Sequence, residues 1–146
     1  MKVSDIMSSP VFVDPGDTAE TVSKLMFRRN VGAILVCTPD GRLRGVITDR
    51  DVTMRVTAAG VDPKTVTAED IMTKDPVTLS PDDGVKAAAE LMAKSQVRRL
   101  PVTQGGKLRG MLSLGDVAKS GLYNVETAAA LCEISKNVRK AARHGK

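Results

Sequence analysis

The sequence predicts an α/β (α+β) fold of two β-α-β-β-α repeats related by a pseudo-two-fold axis, followed by a C-terminal helix. Three observations carry this prediction. The 146 residues contain an internal duplication, apolar runs of strand length recur in each copy, and apolar residues at helical spacing lie between those runs. Each copy has only roughly 50 residues, too few to bury an adequate core alone, so the two copies are expected to pack together.

The duplication consists of short motifs that return in the same order. One added residue near Asp75 and one missing residue near Thr103 keep the copies aligned. The expected division is a first repeat at 1–60, a linker at 61–68, a second repeat at 69–120, and a C-terminal helix with a basic tail at 121–146. The first copy has Asp5-Ile6-Met7, Pro10-Val11, Leu25-Met26, Leu43-Arg44-Gly45 and Asp51-Val52, and the second has Asp70-Ile71-Met72, Pro76-Val77, Leu91-Met92, Leu108-Arg109-Gly110 and Asp116-Val117.

In the first repeat, the apolar pattern and the turn residues predict each element. Asp17, three residues before Glu20, is expected to cap the first helix. The continuous apolar run at 33–36 predicts a strand buried on both faces, and Pro39-Asp40-Gly41 predicts the turn to its hairpin partner. The predicted elements are a strand at 11–13, a helix from Asp17 to Arg29, strands at 33–36 and 43–47, and a helix from Thr48 to Gly60.

The second repeat shows the same order of elements. Its first helix is expected to be capped by Asp83, and its last helix to begin at Ser113. The predicted strands lie at 77–79, 100–102 and 108–112, with a turn at 104–106. Outside the repeat, an amphipathic helix is expected to begin at Asn124 and to cover the repeat pair or a subunit interface. Its apolar residues are Val125, Ala128, Ala129, Leu131, Cys132 and Val138.

The net charge of +5 arises in the C-terminal tail. The chain has 22 Lys and Arg against 17 Asp and Glu, and five of the basic residues lie between Lys136 and Lys146. Because the rest of the chain is formally neutral, the charge does not predict a basic nucleic-acid groove across the fold.

Few residues are available for catalysis or metal binding. Cys37 and Cys132 have no CxxC spacing and His144 is the single histidine, so no disulfide framework, zinc site or catalytic triad is predicted. No apolar run approaches the roughly 20 residues that span a bilayer, and the N-terminus has no signal-peptide pattern. We therefore expect a cytoplasmic, non-enzymatic protein with no catalytic residue, no metal and no catalytic cofactor.

Each repeat ends a strand and begins a helix with a hydroxyl residue followed by a carboxylate three positions later. The pairs are Thr48 with Asp51 and Ser113 with Asp116. Such a hydroxyl can bind phosphate together with backbone N–H groups, and the carboxylate can accept both hydroxyls of a ribose. The glycine three residues before each hydroxyl would let a ligand approach the strand. A nucleoside phosphate would use all of these features, but the pairs are also capping boxes, a role that needs no ligand.

The two copies together resemble a tandem CBS-domain (cystathionine β-synthase domain) pair, or Bateman module, over roughly residues 2 to 120. The size and the trailing helix are similar to stand-alone bacterial CBS-pair proteins. In that family the G-x-x-[ST]-x-x-D motif contacts phosphate and ribose of an adenosine ligand, and aliphatic side chains hold the adenine. The resemblance implies ligand-binding roles for Phe12, Val31, Ala33, Val46, Thr48 and Asp51 in the first repeat, and for Thr78, Val97, Arg98, Arg99, Met111, Ser113 and Asp116 in the second.

The two candidate sites differ just before the second strand of each repeat. The second repeat has Arg98-Arg99 where the first has Gly32-Ala33. Basic residues at this place reach ligand phosphates in related modules, and arginine suits that geometry, so the second site is expected to favour a phosphorylated ligand. For the aliphatic positions, ordinary core packing is an equally good interpretation.

The resemblance implies a regulatory module or energy sensor that binds AMP, ADP or ATP in clefts between the repeats, or another adenosyl ligand such as S-adenosylmethionine. It also implies a homodimer and a protein target for the signal. Two alternatives stay open: a ligand-free dimerisation module, and a nucleic-acid-associated protein that uses the tail at 136–146. The neutral body and the scarcity of aromatic residues argue against nucleic acid as a partner.

Overall fold

The computed structural model describes the backbone of residues 1–144 and the side chains of residues 1–136. Over these residues it has an α/β structure with a four-stranded and a two-stranded sheet, which confirms the predicted fold class. The helices are α1 (Val3–Ile6), α2 (Ala19–Arg29), α3 (Asp49–Val52), α4 (Ala68–Ile71), α5 (Val85–Ser95), α6 (Leu114–Lys119) and α7 (Asn124–His144). The strands are β1 (Phe12–Val13), β2 (Ala33–Cys37), β3 (Leu43–Thr48), β4 (Thr73–Lys74), β5 (Arg99–Gln104) and β6 (Lys107–Ser113).

The chain forms two compact units. Unit 1 consists of residues 1–9, residues 77–104 and the chain from residue 109 onward, and unit 2 consists of residues 10–76 and 105–108. Residues 1–9 therefore share a unit with most of the second sequence repeat. The compact units and the sequence repeats divide the chain differently.

Each unit has an apolar core of its own. No polar or charged side chain is buried among the described residues, so both cores consist of apolar packing alone. The core of unit 1 contains Val3, Leu79, Val85, Ala88, Ala89, Met92, Leu100, Val102, Leu112, Leu114, Val117, Ala130 and Ile134. The core of unit 2 contains Val13, Ala19, Val22, Ile34, Val36, Ile47, Val56, Ala68, Ile71 and Met72.

The larger sheet has the strand order β1-β2-β3-β4, with β1 parallel to β2 and the other pairs antiparallel. β2 is buried along its whole length, as its apolar run predicts. The strand predicted at 77–79 is wrong, because only Leu79 forms a bridge, to Val102. In unit 2 the amide of Leu35 donates to Val11 O at 2.9 Å and so helps to pair β1 with β2. The matching residue in β5 is Pro101, which has no N–H, so the equivalent hydrogen bond to the segment at 77–79 cannot form.

Two helix caps differ from the predicted ones. α2 ends at Arg29 as expected, but its cap is Thr18 rather than Asp17, and α5 begins after Gly84 rather than at an Asp83 cap. Each aspartate instead accepts a hydrogen bond from the backbone N–H three residues earlier, at 2.9 Å for Asp17 and 2.8 Å for Asp83. Closing the preceding turn is a competing use of a short acidic side chain.

The helix predicted from Thr48 to Gly60 is present but is not uniform. α3 is followed by a π-helical turn at Thr53–Thr57. The helical segment ends near Gly60, which has a φ of 70°. Single π-helical turns inside helices are uncommon and occur frequently at functional sites.

α7 begins at Asn124, as predicted, but the face that packs is not the predicted one. It contacts α5 and α6 and buries Ala130 and Ile134, which lie four residues apart on one face. The predicted apolar residues whose side chains are described are all exposed: Val125, Ala128, Ala129, Leu131 and Cys132. The side chain of Val138 and the tail charges beyond Lys136 lie outside the described residues.

The two cysteines are expected to differ in reactivity. Cys37 is 4% exposed and burial raises the pKa of its thiol to about 11, whereas Cys132 is exposed. Because the thiolate is the reactive form, one thiol of the native protein should react quickly with DTNB at pH 8, and the second only after denaturation. A Cys132→Ser variant should show no fast thiol. Two fast thiols in the native protein would contradict the buried position of Cys37.

Candidate functional site

In unit 2 the candidate residues lie on one face of the sheet. Cross-strand partners are Ala33 with Thr48, Leu35 with Val46, and Phe12 with Leu35, so the side chains of these residues project to the same side. The opposite face carries the core residues Val13, Ile34, Val36 and Ile47. The candidate residues of β1, β2 and β3 therefore lie on the side of the sheet that faces away from the unit 2 core.

Thr48 and Asp51 form a reciprocal pair at the junction of β3 and α3. The backbone N–H of Thr48 donates to Asp51 Oδ2 at 2.9 Å, and the backbone N–H of Asp51 donates to Thr48 Oγ1 at 3.2 Å. The predicted capping box is thus present. It uses one carboxylate oxygen and one lone pair of the hydroxyl, and it leaves the other carboxylate oxygen and the hydroxyl hydrogen for further partners.

Ser113 and Asp116 repeat this geometry at the junction of β6 and α6 in unit 1. The backbone N–H of Ser113 donates to Asp116 Oδ2 at 2.9 Å, and the backbone N–H of Asp116 donates to Ser113 Oγ at 3.0 Å. Both pairs are only partly buried. The structure therefore brings together the hydroxyl and the carboxylate that the sequence predicts in each repeat.

The segments that precede β2 and β5 lie beside these junctions. The amide of Asp49 donates to Gly32 O at 3.0 Å in unit 2, and the amide of Leu114 donates to Arg98 O at 2.7 Å in unit 1. Arg98 and its neighbour Arg99 are exposed, and neither forms an ion pair with another side chain of residues 1–136. The backbone of Arg98 thus lies next to the junction that carries Ser113, and the guanidinium groups of both arginines are available to an anion.

The other candidate residues range from exposed to buried. Phe12 is 57% exposed and Val97 is 36% exposed, so neither is ordinary core. Val31, by contrast, packs against the unit 2 core and Ala33 is 8% exposed. The remaining positions are an exposed Thr78 and the half-buried Val46 and Met111.

The glycine before each pair serves packing inside the protein rather than the approach of a ligand. A Cβ at Gly45 would lie 2.7 Å from Met72 Sδ and 2.7 Å from Thr73 O. A Cβ at Gly110 would lie 2.8 Å from Met7 Sδ and 3.0 Å from the carbonyl oxygen of Ser8. The expectation that these glycines admit a ligand is therefore wrong, because the space above each is filled by methionine and backbone.

The two carboxylates differ in their second partner. Arg55, on the π-helical turn, places Nη2 3.8 Å from Asp51 Oδ1, while Ser8 places its hydroxyl 3.5 Å from both oxygens of Asp116. The sequence interpretation missed both residues. The Asp-Arg spacing of four could have indicated Arg55, but Ser8 lies 108 residues from Asp116 and carries no local signal.

The described residues were also compared with the requirements of a metal site and of a membrane-spanning helix. Across its described residues, no group of three or more His, Cys, Asp and Glu side chains is placed to hold a metal ion. The same part of the chain contains no helix with the length and apolar character needed to cross a membrane.

Comparison with known proteins identifies both repeats. The family model of the CBS domain matches residues 3–57 and 68–123. The CBS domain-containing protein YhcV of Bacillus subtilis is 39% identical over 134 residues, which cover 91% of this chain and 94% of that protein.

Two solved structures are similar over most of this chain. Hypoxic Response Protein I, crystallised with two coordinated zinc ions, has a TM-score of 0.75 and 31% identity, covering 82% of this chain and 98% of its own. CBSX2 in complex with AMP has a TM-score of 0.72 and 26% identity, covering 83% of this chain and 96% of its own.

Proposed function

The chain belongs to the CBS-domain family, and on that premise we propose that it is a non-enzymatic regulatory module that binds adenosine nucleotides at two sites. The Thr48–Asp51 pair is the centre of the unit 2 site, and the Ser113–Asp116 pair is the centre of the unit 1 site. AMP, ADP and ATP are the proposed ligands. Binding would shift the population of a homodimer or of a partner-binding state, and so pass the signal on.

The observation that carries this proposal is that each cap occupies only one oxygen of the carboxylate and only an acceptor position of the hydroxyl. Each hydroxyl accepts a backbone hydrogen bond, and among the described residues neither Thr48 nor Ser113 donates one. A phosphate oxygen can accept from that O–H. Each carboxylate uses Oδ2 for the cap. Its Oδ1 has one further neighbour, Arg55 Nη2 at 3.8 Å for Asp51 and the Ser8 hydroxyl at 3.5 Å for Asp116, and it keeps a lone pair that can accept from a ribose hydroxyl.

The surroundings of the pairs support an adenosine ligand in particular. Phe12 and Val97 are apolar and exposed, a position that costs free energy in water and suits the flat face of a purine. The exposed Arg98 and Arg99 beside the Ser113–Asp116 pair can pair with phosphate. The similar protein CBSX2 has AMP as its ligand.

Asp51→Ala and Asp116→Ala should each weaken nucleotide binding. A charge-assisted hydrogen bond contributes about 1.5–3 kcal/mol, so affinity at the altered site should fall about tenfold to a hundredfold. Isothermal titration calorimetry with AMP, ADP and ATP measures affinity and stoichiometry. We expect micromolar binding to the native chain, and loss of one of two binding events in each variant.

Asp70→Ala is the matched control, because Asp70 caps α4 in the same way. Its Oδ2 accepts from the backbone N–H of Thr67 at 3.0 Å, and the Asp70 carboxylate is exposed. Losing either kind of cap should cost about 1 kcal/mol of stability. If Asp70→Ala weakens nucleotide binding as much as Asp116→Ala, the effect belongs to capping; if the native chain binds no adenosyl compound, the proposed function is wrong.

A further inference from the structure

We propose that Arg55 sets the charge selectivity of the unit 2 site, so that this site prefers an anionic nucleotide to the neutral nucleoside. The inference rests on the proposed function, since it requires a nucleotide at Asp51. It adds a residue that neither the family motif nor the duplication indicates.

Arg55 is held between two oxygen atoms of unit 2. Its Nη1 donates to the carbonyl oxygen of Ile71, the last residue of α4, at 2.8 Å. Its Nη2 lies 3.8 Å from Asp51 Oδ1, the carboxylate oxygen that capping leaves unused. The Asp51 side chain is 16% exposed and that of Arg55 is 45% exposed. The guanidinium is thus anchored by α4 and placed beside the oxygen that would accept from the ligand.

Among the residues of unit 1 whose side chains are described, none places a cation beside Asp116 as Arg55 lies beside Asp51. The residue four positions after Asp116 is Ser120, whose hydroxyl donates to Val117 O at 2.6 Å and so caps its own helix. The second partner of Asp116 is the neutral hydroxyl of Ser8. The exposed Arg98 and Arg99 are the candidate cations of the unit 1 site, and the matching residues in unit 2 are Gly32 and Ala33.

The physical consequence is a difference in how each site treats a phosphate. A carboxylate that binds ribose also repels the nearby phosphate of the same ligand. Arg55 offsets that repulsion in unit 2, where Gly32 and Ala33 provide no cation. A neutral nucleoside has no phosphate, so Arg55 should leave its affinity for the site unchanged. The Arg55–Asp51 pair is less exposed than an ordinary surface ion pair. The effect of Arg55 on nucleotide affinity should therefore lie near the upper end of the range for surface pairs, about fivefold.

The test measures AMP and adenosine binding in a chain whose unit 1 site is disabled by Asp116→Ala. In that background, Arg55→Ser introduces the residue found at the corresponding place in unit 1. The matched control is Arg44→Ser, which also removes one positive charge from unit 2 but breaks an exposed pair with Glu69, at 3.3 Å. Calorimetry with both ligands gives the ratio of the two affinities for each variant.

We expect Arg55→Ser to weaken AMP binding about fivefold while adenosine binding changes less than twofold, and Arg44→Ser to leave the ratio unchanged. Equal loss for both ligands would mean that Arg55 only supports the fold, and would overturn the inference. An unchanged ratio, or an Asp116→Ala chain that binds neither ligand, would also overturn it. The proposed function fails separately, if the unaltered chain binds neither compound.

Discussion

Gly45→Ala is expected to lower the free energy of unfolding of the protein by about 3 kcal/mol, the upper part of the usual range for overpacking. The added Cβ would meet Met72 Sδ and Thr73 O at 2.7 Å, closer than such atoms approach in folded proteins. The methionine can move, but the carbonyl belongs to β4, where Lys74 is the register partner of Gly45. Urea unfolding followed by circular dichroism measures the loss.

Gly16→Ala is the matched control, because the nearest atom to its added Cβ, Asp14 Oδ1, is 3.7 Å away. Neither Gly16 nor Gly45 has a positive φ, so backbone strain does not separate the two variants. We expect Gly16→Ala to change stability by less than about 0.5 kcal/mol. A Gly45→Ala protein as stable as Gly16→Ala would show that β4 and Met72 yield to the methyl group.

The same comparison in unit 1 separates the side chain from the backbone. At Gly110 the closest atom is Met7 Sδ at 2.8 Å, and the backbone oxygen of Ser8 is slightly farther, at 3.0 Å. Truncating Met7 should therefore recover more of the Gly110→Ala loss than truncating Met72 recovers of the Gly45→Ala loss. A double-mutant cycle at each site measures this coupling.

These glycines show where interpretation from the sequence alone reaches its limit. A glycine before a hydroxyl and a carboxylate is compatible with a ligand or with close packing, and the choice depends on what lies above it. At Gly45 that neighbour is Met72, and at Gly110 it is Met7. Each contact joins residues that are far apart in the sequence, so no local pattern predicts it.

The features that could be predicted are the ones that local chemistry determines. The buried run of β2 and the hydroxyl–carboxylate pairs at Thr48 and Ser113 depend on residues within a few positions of one another, and all are present. The caps at Asp17 and Asp83 were wrong because the same side chain can close a turn or cap a helix with similar hydrogen bonds. The sequence around an aspartate does not show whether its side chain closes the turn or caps the helix.

The composition of the compact units could not be predicted for a different reason. A duplication shows that two segments are alike, and it does not show which copy of a segment packs on which core. Val3 lies in the unit 1 core, while Ala68, which aligns with Val3 and directly precedes the second repeat, lies in the unit 2 core. The two equivalent segments are therefore each part of the unit formed mostly by the other repeat.

Removing residues 1–9 should consequently destabilise unit 1, although these residues belong to the first repeat by sequence. The segment places Val3, which is fully buried, in the unit 1 core. It also pairs with the rest of unit 1 by backbone hydrogen bonds, such as Val3 N to Asp83 O at 2.8 Å and Ser8 N to Met111 O at 2.8 Å. Losing these contacts should cost on the order of 5 kcal/mol.

Hydrogen exchange tells which unit is affected, because protection reports opening free energy residue by residue. Without residues 1–9, amide protection should fall in α5, β5 and β6 and persist in β2 and β3. Ile71→Ala provides the reciprocal case, since Ile71 is 2% exposed in the unit 2 core and should cost about 2–5 kcal/mol there. Protection lost in β2 and β3 after removal of residues 1–9, with α5 unchanged, would mean that the N-terminal segment stabilises its own sequence repeat. The expected crossed pattern would instead show that the segment stabilises unit 1, the unit in which its Ser8 hydroxyl lies 3.5 Å from Asp116.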